Sequence, residues 1–130
     1  MMKIGDTFRQ EFTVTEKIYR GFRELFNDNN PLHTDISFAN AKGFSGVVMY
    51  GNILNGFLSY FIGECLPDKN VIIHSQEIKY YKPVFLNDRL IFTAEVADIF
   101  ESVHAVEIKF RFDNEHNVKI AKGKIQIGLM

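Results

Sequence analysis

The stretch GNILNGFLSYFIGECLP, residues 51–67, decides the fold. It predicts a helix with apolar side chains on nearly every face, at Ile53, Leu54, Phe57, Leu58, Phe61, Ile62 and Leu66. A helix that is apolar all round is usually buried within its protein. Gly51 precedes this helix and Pro67 closes it. Gly56 and Gly63 lower its stability, so we expect other backbone to approach closely there.

The sequence after Pro67 predicts a sheet that can cover this helix. Four segments rich in β-branched and aromatic residues cover 70–85, 88–102, 103–114 and 117–129. The alternation in VEIKFRF and KGKIQIG indicates one buried and one more polar face. A curved antiparallel sheet wrapped around the long buried helix is the economical arrangement. The predicted fold class is therefore α+β.

The residues before the long helix predict a strand followed by helices. FRQEFTVT, residues 8–15, indicates a short first strand, and Thr15 is placed to cap a helix over residues 16–28. The helical spacing of one set of apolar residues predicts that they face the core: Ile18, Phe22, Leu25 and Phe26. Pro31 ends this helix, and residues 35–43 predict a helical turn that closes at Gly43.

Length, charge and cysteine content narrow the class of protein. The 130 residues, with a net charge of −1, fit one domain over 1–130 with an ordinary core. There is no basic stripe for nucleic acid, no apolar run long enough for a membrane, and no apolar signal core at the N-terminus. Cys65 is the single cysteine, so the chain cannot form an internal disulfide. One cysteine also argues against a metal site and against an oxidising compartment. We expect a cytoplasmic protein.

The run DNNPLHTD, residues 28–35, combines turn chemistry with acid–base chemistry. Asp28 and Asn30 on either side of a proline turn are ordinary turn residues. Asp28 and His33, five residues apart across that turn, could equally form an acid–base pair that reaches one water molecule. From these residues alone, both interpretations stay open.

The same run carries a resemblance to a known family. The chain resembles MaoC-like hot-dog-fold proteins, specifically the (R)-specific enoyl-CoA hydratase group, whose signature is Asp-x-Asn-Pro-[small aliphatic]-His-x-Asp. Gly51 stands about eighteen residues after His33, where the family begins its buried helix, and Ser59 follows about two turns later. The stretch SQEIKYYKPVFLNDRL, residues 75–90, is similar in order to the family's stretch after that helix. Tyr50 departs from the pattern, because the family usually has His there.

The resemblance implies an enzyme without a cofactor that acts on acyl thioesters of CoA or acyl carrier protein. The implied reaction is hydration of a trans-2-enoyl thioester to the (R)-3-hydroxyacyl thioester, or the reverse dehydration. Asp28 and His33 would flank the catalytic water, and the Gly51 N–H would stabilise the charge on the thioester oxygen. Asn30 and Ser59 would support the site, and Tyr50 would alter the shape of the pocket.

The resemblance also implies a homodimer whose two sheets join edge to edge. A sheet edge left unpaired in one chain would thereby gain a partner.

The bulky run of Phe57, Tyr60 and Phe61 favours a short acyl chain.

Other functions stay open beside the hydratase. A hot-dog thioesterase usually places its carboxylate on or beside the long helix, where this chain offers only Glu64 near the end. A non-catalytic thioester-binding subunit is the third hypothesis, which the intact Asp28 and His33 disfavour. Ser59 could also simply bond back to the preceding helical turn. Gly51 could serve as a plain cap of its helix.

Overall fold

A computed structural model of the protein describes all residues, 1–130. Its strands are β1 (Thr7–Thr13), β2 (Val71–Tyr80), β3 (Arg89–Phe100), β4 (Ala105–Asn114) and β5 (Lys119–Leu129). Its helices are α1 (Glu16–Phe26), α2 (Pro31–Thr34), α3 (Ile36–Ala41) and α4 (Ile53–Tyr60), with a π-helical turn at Phe61–Cys65 and a 3-10 turn at Glu101–Val103. No helix has the length and apolar character needed to cross a membrane.

The five strands form one antiparallel sheet in the order β1-β3-β4-β5-β2. All four strands predicted after Pro67 are confirmed, and β2 ends at Tyr80, several residues before the predicted boundary. The register shifts in β2, β3 and β5 bend the strands, since an extra residue on one side of a pair kinks the ladder. Strand β2 lies at one edge, and its only partner strand is β5.

The long helix lies against the apolar face of this sheet, as predicted. Leu58 and Phe61 are fully buried, and the ring of Phe61 lies 4.7 Å from that of Phe92 in β3. On the side of β1, the ring of Phe12 stacks on Phe57 at 4.5 Å. The helix does not stay regular to its end, because α4 passes directly into the π-helical turn. Helix and sheet therefore share one aromatic core.

Two of the glycine expectations for this helix are wrong. A Cβ added to Gly56 or Gly63 would meet no atom within 4 Å, so no backbone approaches closely there. Gly56 instead lines an open groove between α1 and α4. The close approach in this fold occurs in β5, where a Cβ on Gly123 would lie 1.8 Å from the Glu77 carbonyl oxygen of β2.

The prediction that α1 buries all four of its apolar residues is also wrong. Ile18 and Phe22 pack against the core, whereas Leu25 is 80% exposed and Phe26 is 67% exposed. The helical spacing was correct, but Leu25 and Phe26 border an open groove beside α4 and stay exposed. Phe26 contacts its own helix instead, with its ring centroid 4.9 Å from that of Phe22.

Candidate active site

The chain between α1 and α3 folds through side-chain to backbone hydrogen bonds. Asn27 adopts a left-handed conformation (φ 54°) that ends α1 and turns the chain. The Asp28 carboxylate accepts the Asn30 N–H at 3.2 Å, and the Asn30 side-chain oxygen accepts the Leu32 N–H at 2.9 Å. Asp35 caps α3. Turn chemistry therefore accounts for much of the DNNPLHTD run, and Asn30 braces this loop.

His33 is the residue of this loop whose side chain reaches across to the next segment. Its Nδ1 lies 2.6 Å from the carbonyl oxygen of Val48. A carbonyl oxygen can only accept, so Nδ1 carries a proton and donates it. In the neutral ring, Nε2 must then hold the lone pair. The structure thus fixes both the direction and the tautomer of the half-buried imidazole.

Gly51 supplies an unused donor beside α4. Its carbonyl accepts the Leu54 N–H at 3.1 Å, and the Tyr50 carbonyl accepts the Ile53 N–H at 3.1 Å. The Gly51 N–H itself has no acceptor within the chain. Free N–H groups at the start of a helix, together with its dipole, favour a negatively charged oxygen. A Cβ at Gly51 would lie 3.2 Å from the Tyr80 ring, so glycine keeps this approach open.

His33, Tyr50 and Gly51 line one cavity of about 350 Å³. Its remaining walls are largely apolar and come from Val14, Phe44, Val48, Met49, Ile53, Leu54, Tyr80, Tyr81, Lys82, Pro83 and Val84. Lys82 is the one lysine among them. An apolar cavity with a basic nitrogen and a free N–H can hold an acyl group beside a proton acceptor and a donor for its carbonyl oxygen.

Asp28 stands next to this cavity, but does not line it. Its backbone carbonyl accepts a hydrogen bond from the Tyr50 hydroxyl. Burial raises the pKa of Tyr50, and the negative charge of the Asp28 carboxylate raises it further. The Tyr50 hydroxyl therefore keeps its proton at neutral pH. The structure thus brings His33, Tyr50 and Gly51 together and holds Asp28 behind Tyr50.

Ser59 does not lie where its predicted role requires. It is exposed on α4 and does not line the cavity. Eight residues separate it from Gly51, which on a helix of 3.6 residues per turn leaves it rotated by about 80°. The helix therefore points Ser59 to a different side within this chain.

Glu64, the carboxylate that a thioesterase would need, also lies outside the cavity. It is exposed on the π-helical turn, with its carboxylate 3.9 Å from the Lys69 ammonium. The structure therefore places no carboxylate of the long helix at the cavity beside His33.

Tyr19 and Val48 also belong to this site, although neither was predicted from the sequence. The Tyr19 hydroxyl donates to the His33 carbonyl, and the Val48 carbonyl accepts from the His33 ring. These contacts join residues 14 and 15 positions apart in the chain. No local pattern marks them, because α1 and the segment before α4 meet only in the folded chain.

Comparisons with known proteins find a family model and relatives to which this chain is similar. The family model described as MaoC like domain matches residues 2–119. The mitochondrial 3-hydroxyacyl-acyl-carrier-protein dehydratase of Arabidopsis thaliana is 22% identical over 95% of this chain and 75% of its own length. The (R)-specific enoyl-CoA hydratase of Aeromonas caviae is 37% identical over 58% of this chain. The chain matches about half, 54%, of that hydratase's length.

Solved structures agree on the architecture. The (R)-hydratase from A. caviae superposes with a TM-score of 0.90 at 25% identity, covering 99% of this chain and 98% of that one. The unliganded R-hydratase of Pseudomonas aeruginosa gives a TM-score of 0.88 at 23% identity, covering 98% and 82%. The sheet around α4 is thus the hot-dog fold that the resemblance implied.

Proposed function

The chain belongs to the MaoC-like domain family, and on that premise we propose that it hydrates trans-2-enoyl thioesters to (R)-3-hydroxyacyl thioesters, or catalyses the reverse dehydration. One observation carries the proposal. An oriented histidine with a free Nε2 and an unused backbone N–H line the same apolar cavity. The names of the relatives, a hydratase and a dehydratase, support the same reaction.

The proposed hydration needs two proton transfers and one site for negative charge. Water adds its oxygen to C3, and one proton leaves that water while another reaches C2. His33 Nε2 holds a lone pair that can take one of these protons, and Asp28, beside the cavity, completes the proposed acid–base pair. The electrons displaced towards the thioester carbonyl place charge on its oxygen, where the Gly51 N–H donates. Asn30 supports the loop that carries the pair.

The proposed substrate carrier is CoA or acyl carrier protein, and the reaction needs no further cofactor. Addition of water changes no oxidation state overall, so neither electrons nor a phosphoryl group must be supplied. We place the protein in the cytoplasm, which the free thiol of Cys65 supports.

The first test mixes the purified protein with crotonyl-CoA. The expected result is loss of the enoyl absorbance with formation of the (R)-3-hydroxybutyryl thioester, resolved by chiral analysis. Release of free thiol without that product would replace this proposal with the thioesterase. If folded protein gives neither signal with CoA substrates or with carrier-protein substrates, a non-catalytic thioester-binding subunit becomes the favoured function.

We expect short acyl chains to react faster than long ones. The cavity, at about 350 Å³, is near the lower limit for ligand pockets, and buried Met49, Ile53 and Leu54 form part of its wall. The sequence suggested this preference for short chains from the aromatic run of Phe57, Tyr60 and Phe61. In the structure that run does not limit the acyl length, because none of the three residues lines the cavity. We expect kcat/KM for crotonyl-CoA to exceed that for dodecenoyl-CoA by roughly tenfold or more. The opposite order would show that the cavity is not the acyl site.

We also propose a homodimer formed through strand β2. Its free edge carries apolar side chains, with Ile72 51% exposed and Ile73 38% exposed. An unpaired apolar edge is a template for pairing with another chain. A dimer in which β2 pairs with its own copy would have twice the chain mass of 15.0 kDa.

Sedimentation equilibrium tests this dimer. We expect Ile72→Lys to shift the mass toward the monomer, because a charge on an edge strand opposes pairing. Val118→Lys is the matched control, since Val118 is exposed in the turn between β4 and β5. A monomeric wild type, or equal dissociation of both variants, would contradict the proposed edge.

A further inference from the structure

Two tyrosine hydroxyls hold the main chain of the two proposed acid–base residues. The Tyr50 hydroxyl donates to the backbone carbonyl of Asp28. The Tyr19 hydroxyl donates to the backbone carbonyl of His33. Tyr19 lies on α1 and Tyr50 lies just before α4, so two separate segments fix the loop between them. Neither contact involves the side chain of Asp28 or His33.

Tyr50 also joins these residues through its ring. It is 3% exposed, and its ring centroid lies 4.3 Å from that of His33 and 4.7 Å from that of Phe22. The Tyr19 ring stacks on it at 5.9 Å. Tyr50 is bonded through its own peptide to Gly51, whose N–H is free. One side chain therefore contacts the loop of Asp28, the imidazole of His33 and the chain that presents the Gly51 N–H.

The Tyr50 hydroxyl is occupied by this contact and does not serve as the acid of the reaction. Its single proton is donated to the Asp28 carbonyl. Asp28, Tyr19 and Arg23 are the titratable groups that act on it, and the net direction, with burial, is a raised pKa. It therefore stays a donor across the neutral range, while the reacting atoms would meet Nε2 of His33.

We propose that Tyr50 and Tyr19 form a clamp of positioning residues, which fixes the distance between the Asp28–His33 loop and the Gly51 N–H. This inference rests on the proposed hydratase function. Its physical basis is that proton transfer and oxyanion stabilisation need their groups held to well within 1 Å. Without the hydroxyl of Tyr50 the Asp28 carbonyl loses its donor, and the loop can relax away from α4.

The test compares Tyr50→Phe and Tyr19→Phe with wild type, using Tyr60→Phe as the matched control. Phenylalanine keeps the ring stack and removes only the hydroxyl. Tyr60 is 52% exposed on α4 and lines no part of the cavity. For both clamp variants we expect kcat on crotonyl-CoA to fall about 10- to 100-fold, with KM changed less than about threefold. We also expect the pH profile of kcat to move, and Tyr60→Phe to match wild type.

A second readout needs no substrate. The NMR chemical shift of the His33 Hε1 proton at one fixed pH, assigned with His33→Ala, is expected to change in Tyr50→Phe and to stay unchanged in Tyr60→Phe, because the Tyr50 ring lies 4.3 Å from the imidazole and moves with the loop. Wild-type kcat, pH profile and His33 Hε1 chemical shift in both clamp variants would overturn the clamp, even if their melting temperatures fell. If the wild-type protein shows no turnover, the proposed function fails, and the His33 Hε1 chemical shift alone then decides the clamp.

Discussion

Replacing His33 with alanine is expected to lower kcat for hydration of crotonyl-CoA by about 10²- to 10⁴-fold. His33 lines the cavity, and the substitution removes its Nε2, the nitrogen with the lone pair, together with the ring that Val48 orients. KM should change little, because the apolar walls and the Gly51 N–H still bind the thioester. Initial rates from the decay of the enoyl absorbance, on protein checked for its fold by circular dichroism, measure the effect.

The control for this variant is His116→Ala, in the exposed turn between β4 and β5. Its rate should equal that of wild type. Asp28→Asn extends the test, because asparagine keeps an oxygen for the Asn30 N–H while removing the charge. We expect a loss of similar size. A His33→Ala protein with more than about a tenth of the wild-type kcat would remove His33 from the proton transfers.

Gly123→Ala is expected to destabilise the fold by about 3 kcal/mol or more. A Cβ at this position would lie 1.8 Å from the Glu77 carbonyl oxygen and 2.9 Å from Cζ of Phe110. Because the first of these contacts is with backbone, no side-chain rotation relieves it, and β2 must move away from β5. Urea unfolding at a fixed protein concentration measures the free energy of unfolding, since a β2 dimer would couple stability to concentration.

Gly21→Ala is the matched control for this substitution. Gly21 lies inside α1, and a Cβ there would meet no atom within 4 Å. We expect stabilisation by about 0.5–1 kcal/mol, because alanine restricts the unfolded chain and favours the helix. A Gly123→Ala protein as stable as wild type would mean that β2 and β5 adjust without loss. Equal destabilisation of both variants would mean that the close approach at Gly123 is not the cause.

The sequence predicted the architecture well because its main signals are local. The continuous apolar run of α4 and the alternation along β4 and β5 depend only on which face of each element is apolar. Both signals fixed the helix and the strands with small errors at their ends. The prediction of burial failed where it depended on a distant partner. Leu25 and Phe26 have the right helical spacing, but their side chains stay exposed at the end of α1.

In the candidate site, too, some residues were recognisable from the sequence and others were placed only by the fold. The DNNPLHTD run, with Gly51 at its spacing from His33, was recognisable from the sequence because it matches the family's signature. Ser59 was placed by the family pattern, about two turns into the helix, and in the structure it is exposed on another side of α4. The importance of Tyr50 was seen only as a departure from the family pattern.

The sequence by itself determined the elements and the fold class, since both follow from residue type and short-range periodicity, whereas the acid–base candidates Asp28 and His33 came from the resemblance to the family. Only the tertiary structure decided which nitrogen of His33 carries the proton, that the Gly51 N–H is free, and that Tyr19 and Tyr50 hold the loop. The physical reason is that hydrogen bonds act over about 3 Å and depend on direction. Such contacts between α1, the loop and α4 exist only after the sheet and the buried helix have brought those segments together.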